Sequence, residues 1–234
     1  KQLFFVLYLI LLKFMKRDFI SVLDWTTEEI HNNLDFAVEL KQQTKEGMCP
    51  QLLERKTYVL FFHKPSLRTR LSFEVGIAQL GGTSMVLSEQ DFKIGERETV
   101  SDVARVMSRY VDGILIRTFS HQLVLDLAKH ATVPIVNMLT DFNHPCQVMS
   151  DLLTIKEKLG HIDNVRIAYV GDSNNMTNSW LNLAARIPLD LRIATAPETL
   201  PDMKLVSEIR EIGISTIKVT HSAQEAVDGA EVLY

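Results

Sequence analysis

Residues 61–74 read FFHKPSLRTRLSFE. An apolar strand ends, Pro65 turns the chain, and Ser66 stands where a helix cap belongs. Leu67, Arg68, Thr69 and Arg70 then fill the first helical turn. A helix start already attracts anions, through its unpaired N–H groups and the positive end of its dipole. Two hydroxyls and two guanidiniums there suit a phosphate, whose oxygens pair with arginine forks. The alternative is a capped helix with solvated arginines, but basic residues oppose the dipole at a helix start.

Three further groups carry candidate chemistry. DFNHPCQ, residues 141–147, follows a predicted strand and so lies at a C-terminal strand end, where open α/β sheets bind ligands. There His144 can donate to a carbonyl oxygen, and Gln147 can both donate and accept. Its plainer reading is a polar loop whose Pro145 and Gln147 begin a helix. Arg117 ends the apolar strand GILIR, a costly place for a charge unless it meets an anion. All three pieces fall at the same edge of one predicted sheet. Finally, residues 165–180 read VRIAYVGDSNNMTNSW, a strand, a Gly171-Asp172 turn and a helix. The glycine fingerprint of a dinucleotide site is missing. Asn174 and Asn175 instead offer uncharged amides suited to an amino-acid head group, or to the turn itself.

The elements that must hold these residues alternate. Thr26 or Thr27 caps a helix with Glu28 and Glu29 in its first turn and an apolar face through Leu40; a turn follows at 47–50. Strands are predicted at 58–62, 84–87, 113–117, 134–137, 166–170, 191–195, 216–219 and 231–234. Helices are predicted at 67–80, 101–110, 122–130, 147–159, 178–186, 203–212 and 223–228, with Gly81-Gly82 ending the first of these. Alternation of this kind indicates an α/β protein with two parallel-sheet domains. The boundary is placed near Ser150, giving 16–150 and 151–234.

The chain has 234 residues, 46% hydrophobic and 23% charged, an ordinary globular composition. A net charge of −4 and the lack of a Lys/Arg-rich run argue against nucleic acid. Two cysteines, Cys49 and Cys146, form no disulfide framework, which fits a reducing cytoplasm. The apolar run at 3–12 is shorter than the roughly 20 residues that span a bilayer, so no membrane partner is expected. Lys13, Phe14, Met15, Lys16 and Arg17 follow it in place of a small-residue cleavage site. Residues 1–15 are therefore expected to be a non-native or upstream segment, with Met15 as the start. At the other end the chain stops at Tyr234 within an apolar strand, so the second domain is expected to be incomplete.

These motifs resemble the aspartate/ornithine carbamoyltransferases. Ser66-Leu67-Arg68-Thr69-Arg70 is similar to the family's Ser-Thr-Arg-Thr-Arg carbamoyl phosphate motif, and Arg117 with Thr118-Phe119-Ser120-His121 to its next phosphate ligand. His144-Pro145-Cys146-Gln147 resembles its carbonyl-binding motif, and Gly171-Asp172 with Asn174-Asn175 its ornithine branch. The likeness runs from about Lys16 to Tyr234. Leu67 departs from the motif's Thr, losing a hydroxyl but not the N–H. Lys93 stands where many relatives have Gln or His, in a loop that reaches a neighbouring subunit's site.

The resemblance implies a carbamoyl phosphate domain and an ornithine domain with the site between them, in homotrimers that use no metal or organic cofactor. It implies that Ser66, Leu67, Arg68, Thr69 and Lys93 bind phosphate. Arg117 and His144 would act on the carbamoyl carbonyl, Gln147 on its NH₂ group, and Asn175 on ornithine. The product would be citrulline, placing the chain in arginine-type amino-acid metabolism. The family's Asp and Ser-Met ornithine contacts, its His-Cys-Leu-Pro cysteine and a late arginine would fall beyond Tyr234; Cys146 is not that cysteine. The chain alone is accordingly expected to be poorly soluble and inactive. Transfer to another amine, such as putrescine or an acylated ornithine, would share the first three motifs and is separated by turnover with each amine. A dinucleotide-dependent oxidoreductase is disfavoured by the missing glycines, and a non-catalytic protein of this fold by the intact phosphate motif.

Overall fold

The computed structural model describes residues 16–234; the apolar run at 3–12 and Met15 lie outside the described residues. The chain divides into two compact units. The first holds residues up to Ile20 together with Ile30–Asp141, and the second holds Ser21–Glu29 and Phe142–Tyr234.

Helix α1 (Thr27–Lys45) starts with reciprocal bonds between residues 26 and 29. The Glu29 N–H donates to Thr26 Oγ1 at 3.2 Å, and the Thr26 N–H donates to Glu29 Oε2 at 2.8 Å. The helix runs five residues past the last apolar position, Leu40. Lys, Gln and Glu are good helix formers, and Gln43 bonds Glu39 one turn back at 2.9 Å.

The first unit is built on β1 (Thr57–Phe62), β2 (Thr83–Ser88), β3 (Gly113–Arg117) and β4 (Ile135–Leu139), with α2 (Leu67–Gln79), α3 (Val100–Tyr110) and α4 (His121–His130) as crossovers. The sheet is wholly parallel in the order β2-β1-β3-β4. Phe62 pairs with both Ser88 and Arg117, so β1, β2 and β3 end level. Val59, Phe61, Ile114 and Ile116 join Ala104, Val124 and Leu127 in one core cluster. Tyr58, Leu60 and Leu115 alternate with them and are also fully buried, as a parallel sheet covered on both faces requires. Gly81, just past the end of α2, sits at φ 85°, where a side chain would be strained.

In the second unit, β5 (Val165–Val170), β6 (Leu189–Ala194), β7 (Thr216–Thr220) and β8 (Val232–Leu233) form a parallel sheet in the order β7-β6-β5-β8. Its helices are α5 (Pro145–Leu159), α6 (Asn175–Ala184), α7 (Met203–Ile212) and α8 (Ala223–Val227). Two parallel four-stranded sheets with helical crossovers are the architecture that the alternation predicts. Two helices start two or three residues earlier than the apolar pattern indicates. Pro145 opens α5 because its fixed φ suits a first helical turn. Asn174 caps α6, whose first residue, Asn175, comes three residues before the expected position. Short 3₁₀ turns at Val22–Asp24 and Pro197–Thr199 have no periodic signal and were not predicted. Among the described residues, no helix is long and apolar enough to cross a membrane.

Leu115 lies in β3, paired on both sides, and is fully buried. Leu115→Ala is expected to destabilise the protein by about 3 kcal/mol, through lost transfer energy and the cavity left behind. Denaturant unfolding checks this; a loss of less than about 1 kcal/mol would show that the site collapses around the smaller side chain.

Candidate functional site

The helix start after β1 carries its sequence-predicted residues on a hydrogen-bonded frame. Ser66 caps α2 in extended conformation, and its Oγ accepts from the Thr69 N–H at 3.4 Å. The same hydroxyl donates to Thr69 Oγ1 at 2.9 Å. Thr69 Oγ1 also accepts from Arg117 Nη1 at 3.4 Å. With both lone pairs engaged, the Thr69 O–H is left to donate. The first turn of α2 contains no acid that would neutralise the dipole. Arg70 pairs with Glu74 at 2.8 Å. Leu67 is exposed and contributes only backbone to this frame.

Arg117 shows what this arrangement lacks. Its Nε is buried without a hydrogen-bond partner among the described residues. Burial, and after it the charge of Arg68, both press its pKa below the ordinary value. A guanidinium does not deprotonate in a protein, so it needs a counter-charge. An anion at the α2 N-terminus would supply one. Ser66, Arg68, Thr69 and Arg117 are thus brought together. Lys93 stands apart in the exposed segment after β2, paired with Glu96 at 3.1 Å.

His63 was missed by sequence reasoning. Its N–H donates to the Arg117 carbonyl at 2.9 Å, and its Nδ1 lies 2.6 Å from the Thr118 hydroxyl. The ring packs edge-on against Phe61 at 4.7 Å. Burial lowers its pKa, with the Glu89 carboxylate opposing. His63, Ser66, Leu67, Arg70, Ser88 and Glu89 line a cavity of about 470 Å³ at the ends of β1 and β2. The only signal in the sequence was a polar residue immediately after a buried strand.

In the second unit, His144 and Asn175 are brought together by a residue that was not singled out. His144 precedes α5 and is buried, and its N–H donates to Ser179 Oγ at 2.8 Å. Ser179 donates in turn to the Asn175 carbonyl at 2.6 Å. The starts of α5 and α6 are therefore tied through one hydroxyl. Asn174 is used by the turn: its Oδ1 accepts from the Met176 N–H, and its Nδ2 donates to the Tyr169 hydroxyl at 3.0 Å. That separates the two neighbouring asparagines, with Asn174 structural and Asn175 at the first helical position. Gly171, at φ 148°, permits the turn. Gln147, in the first turn of α5, donates through Nε2 to Asp151 Oδ1 at 2.8 Å. Burial pushes the Asp151 carboxyl up to about 6, against bonds from Gln147 and Tyr234 that lower it. Cys146 is fully buried, and that burial raises its thiol pKa, so it is no nucleophile at neutral pH. Among the described residues, no group of His, Cys, Asp or Glu could hold a metal ion.

The model of the aspartate/ornithine carbamoyltransferase carbamoyl-P binding domain matches residues 17–157, and that of the family's Asp/Orn binding domain matches 163–234. The chain is 47% identical over 219 residues to the chloroplastic ornithine carbamoyltransferase of Pisum sativum, covering 93% of this chain and 58% of that protein. It is 45% identical over 219 residues to the ornithine carbamoyltransferase of Pelobacter propionicus, covering 94% and 72%. The solved ornithine carbamoyltransferase of Pyrococcus furiosus superposes with a TM-score of 0.89 at 42% identity, over 94% of this chain and 71% of that one. The chain therefore spans between 58% and 72% of the length of these relatives.

The Asp151 carboxyl gives a signed prediction. Its folded pKa is raised to about 6, so the folded state holds this proton more tightly than the unfolded state. The stability tied to it is complete below the unfolded pKa, near 4, and is lost as pH rises through about 6. Asp151→Asn, neutral at every pH, is expected to gain about 2 kcal/mol over the parent at pH 8 and little at pH 4. Denaturant unfolding at the two pH values checks this; a pH-independent difference would contradict it.

Proposed function

The chain belongs to the aspartate/ornithine carbamoyltransferase family, and from that premise we propose that it transfers the carbamoyl group of carbamoyl phosphate to the δ-amine of L-ornithine, giving L-citrulline and phosphate. The observation that carries this reading is the helix start at Ser66, where Thr69 and Arg117 are already hydrogen-bonded and the buried Arg117 Nε has no hydrogen-bond partner among the described residues. Ser66, the Leu67 N–H, Arg68 and Thr69 hold the phosphate. Arg117 and His144 donate to the carbamoyl oxygen, and Gln147 takes the carbamoyl NH₂. Asn175 reads the amino-acid head of ornithine. Lys93 adds a cation from an exposed loop.

In the reaction the neutral δ-amine attacks the carbamoyl carbon, and negative charge gathers on the carbonyl oxygen. Donors fixed in advance stabilise that charge without reorganising. The C–O bond to phosphate breaks, and phosphate leaves as an anion already held by guanidiniums. The amine gives up one proton as the new C–N bond forms, and the departing phosphate takes it up. Holding both substrates in place supplies much of the remaining acceleration. Nothing in these steps calls on a metal or organic cofactor.

Residues 16–150 serve as the carbamoyl phosphate domain and 151–234 as the ornithine domain in this reading. It includes a homotrimer. In its favour, Leu67, Leu71 and Val75 form an exposed apolar stripe one turn apart along α2, 73%, 52% and 50% exposed. It also includes a cytoplasmic location and a place in arginine biosynthesis. Cys49 and Cys146 form no disulfide, which is compatible with a reducing compartment.

Two substitutions test the reading. Arg68→Ala is expected to weaken carbamoyl phosphate binding by about 2 kcal/mol, the scale of a lost charge-assisted bond. Near-normal binding measured by calorimetry would remove Arg68 from the phosphate site. Asn175→Ala is expected to raise the KM for ornithine far more than that for carbamoyl phosphate. Equal effects on both would assign Asn175 to the turn alone.

A further inference from the structure

The level ends of β1, β2 and β3 set three side chains in a row. Phe62 pairs with Ser88 on one side and with Arg117 on the other. The residues that follow are His63, Glu89 and Thr118. The His63 N–H continues the ladder by donating to the Arg117 carbonyl at 2.9 Å. Its ring is fastened on the β3 side, where Nδ1 lies 2.6 Å from Thr118 Oγ1. A hydroxyl accepts from a ring N–H and donates to a bare ring nitrogen, so this bond persists whether the imidazole is charged or neutral. Thr118 therefore fixes the place of the ring and leaves its charge open.

Burial disfavours the charged ring, and the Glu89 carboxylate beyond β2 opposes that effect without outweighing it. Ser66, Leu67 and Arg70 of the α2 start line the same cavity as His63 and Glu89. Arg70 is paired with Glu74. Arg68 in the first turn of α2 and Arg117 at the end of β3 bring further positive charge to this edge, and Lys64 lies over the Phe119 ring at 5.2 Å. With the helix start empty, one carboxylate is all that favours a proton on His63. A dianion at the Ser66 cap adds negative charge to the same cavity and moves the balance toward the protonated ring.

Resting on the phosphate site proposed above, we infer that His63 is the proton-linked member of that site: it takes up a proton from solvent as a phosphoryl dianion settles at the Ser66 cap, so that anion and proton bind together. No covalent bond changes. By reciprocity, the protonated ring strengthens anion binding by the same factor as the anion favours protonation. The imidazolium also stands between the ligand and Glu89, whose carboxylate on the far wall of the cavity would otherwise repel an incoming anion. Anion binding accordingly weakens as pH rises through the His63 titration. Ser66, Arg68, Thr69 and Arg117 keep one charge throughout that range and cannot produce this dependence.

Sulfate is the probe, because it stays a dianion across the histidine range and brings no titrating proton of its own. Titration calorimetry on the native protein, in two phosphate-free buffers of different ionisation enthalpy, reads both the affinity and the protons taken up. The parent is expected to bind sulfate about tenfold more tightly near pH 5.5 than near pH 8.5, a factor at the lower end of typical coupling between two sites. A coupling of that size takes up at most about half a proton per sulfate, at the middle of the transition. His63→Gln keeps a polar partner for Thr118 and does not ionise. Its affinity should vary less than about twofold over the same range, with the uptake gone. Glu89→Gln should move the transition to lower pH. If His63→Gln does not fold, His63→Asn carries the test. Sulfate binding by the parent with a flat pH profile and no uptake would overturn the inference and leave the functional reading intact. So would undiminished uptake in His63→Gln, which would assign the proton to another group, or a transition unmoved in Glu89→Gln. No sulfate binding at any pH would remove the phosphate site itself, and the inference with it.

Discussion

The start of α2 presents unpaired N–H groups and a positive dipole end, and the chain adds guanidiniums there where acids would neutralise it. Arg117 is drawn to the same place by β3, partly buried and pressed by the charge of Arg68. The fold therefore carries an uncompensated positive site at the level ends of β1 and β3, and much of the first unit serves to hold it. Ser66 and Thr69 convert the helix cap into a hydroxyl pair that also grips Arg117. His63 braces the far end of the arginine through its backbone and Thr118. The sheet registers Phe62 against Arg117 and so sets the distance between the two chain segments.

The second unit orders its polar groups by a different device. Two helix starts, at His144 and Asn175, are joined by the Ser179 hydroxyl, which accepts from one backbone and donates to the other. A hydroxyl suits this role because it can do both at once. Asn174 is consumed by its own capping box, so the paired asparagines that look equivalent in the sequence have separate duties. The Gln147–Asp151 pair adds an acidic acceptor whose burial is costly.

The two units illustrate one trade. Groups that must act on a ligand are held by partners that commit part of their hydrogen-bonding capacity and leave a defined remainder. Thr69 accepts twice and keeps its proton to donate, and Gln147 donates to the Asp151 carboxylate. Packing provides the rigidity behind this, as with Phe61 under the His63 ring and Tyr169 and Trp180 around Tyr234.

Much of this was legible from local pattern. Apolar runs of four or five residues between helical segments specified a parallel α/β arrangement, because strands buried on both faces need such runs. Helix α7 begins and ends where the sequence places it, at Met203 and Ile212, and the structure shows the short-range reason, a cap at Asp202 and a left-handed glycine at Gly213. Ser66, Arg68, Thr69 and Arg117 were recognisable by residue type and by position at strand ends. Periodicity could not show that Arg117 would bond Thr69, 48 residues away, or that Ser179 would join His144 to Asn175. Nor could it show that His63 would brace Arg117, or that the exposed-looking Asp151 would be half-buried beside Gln147. Caps and turns depend on a handful of neighbouring dihedrals, whereas these links depend on strand order and register, which only the folded sheet decides.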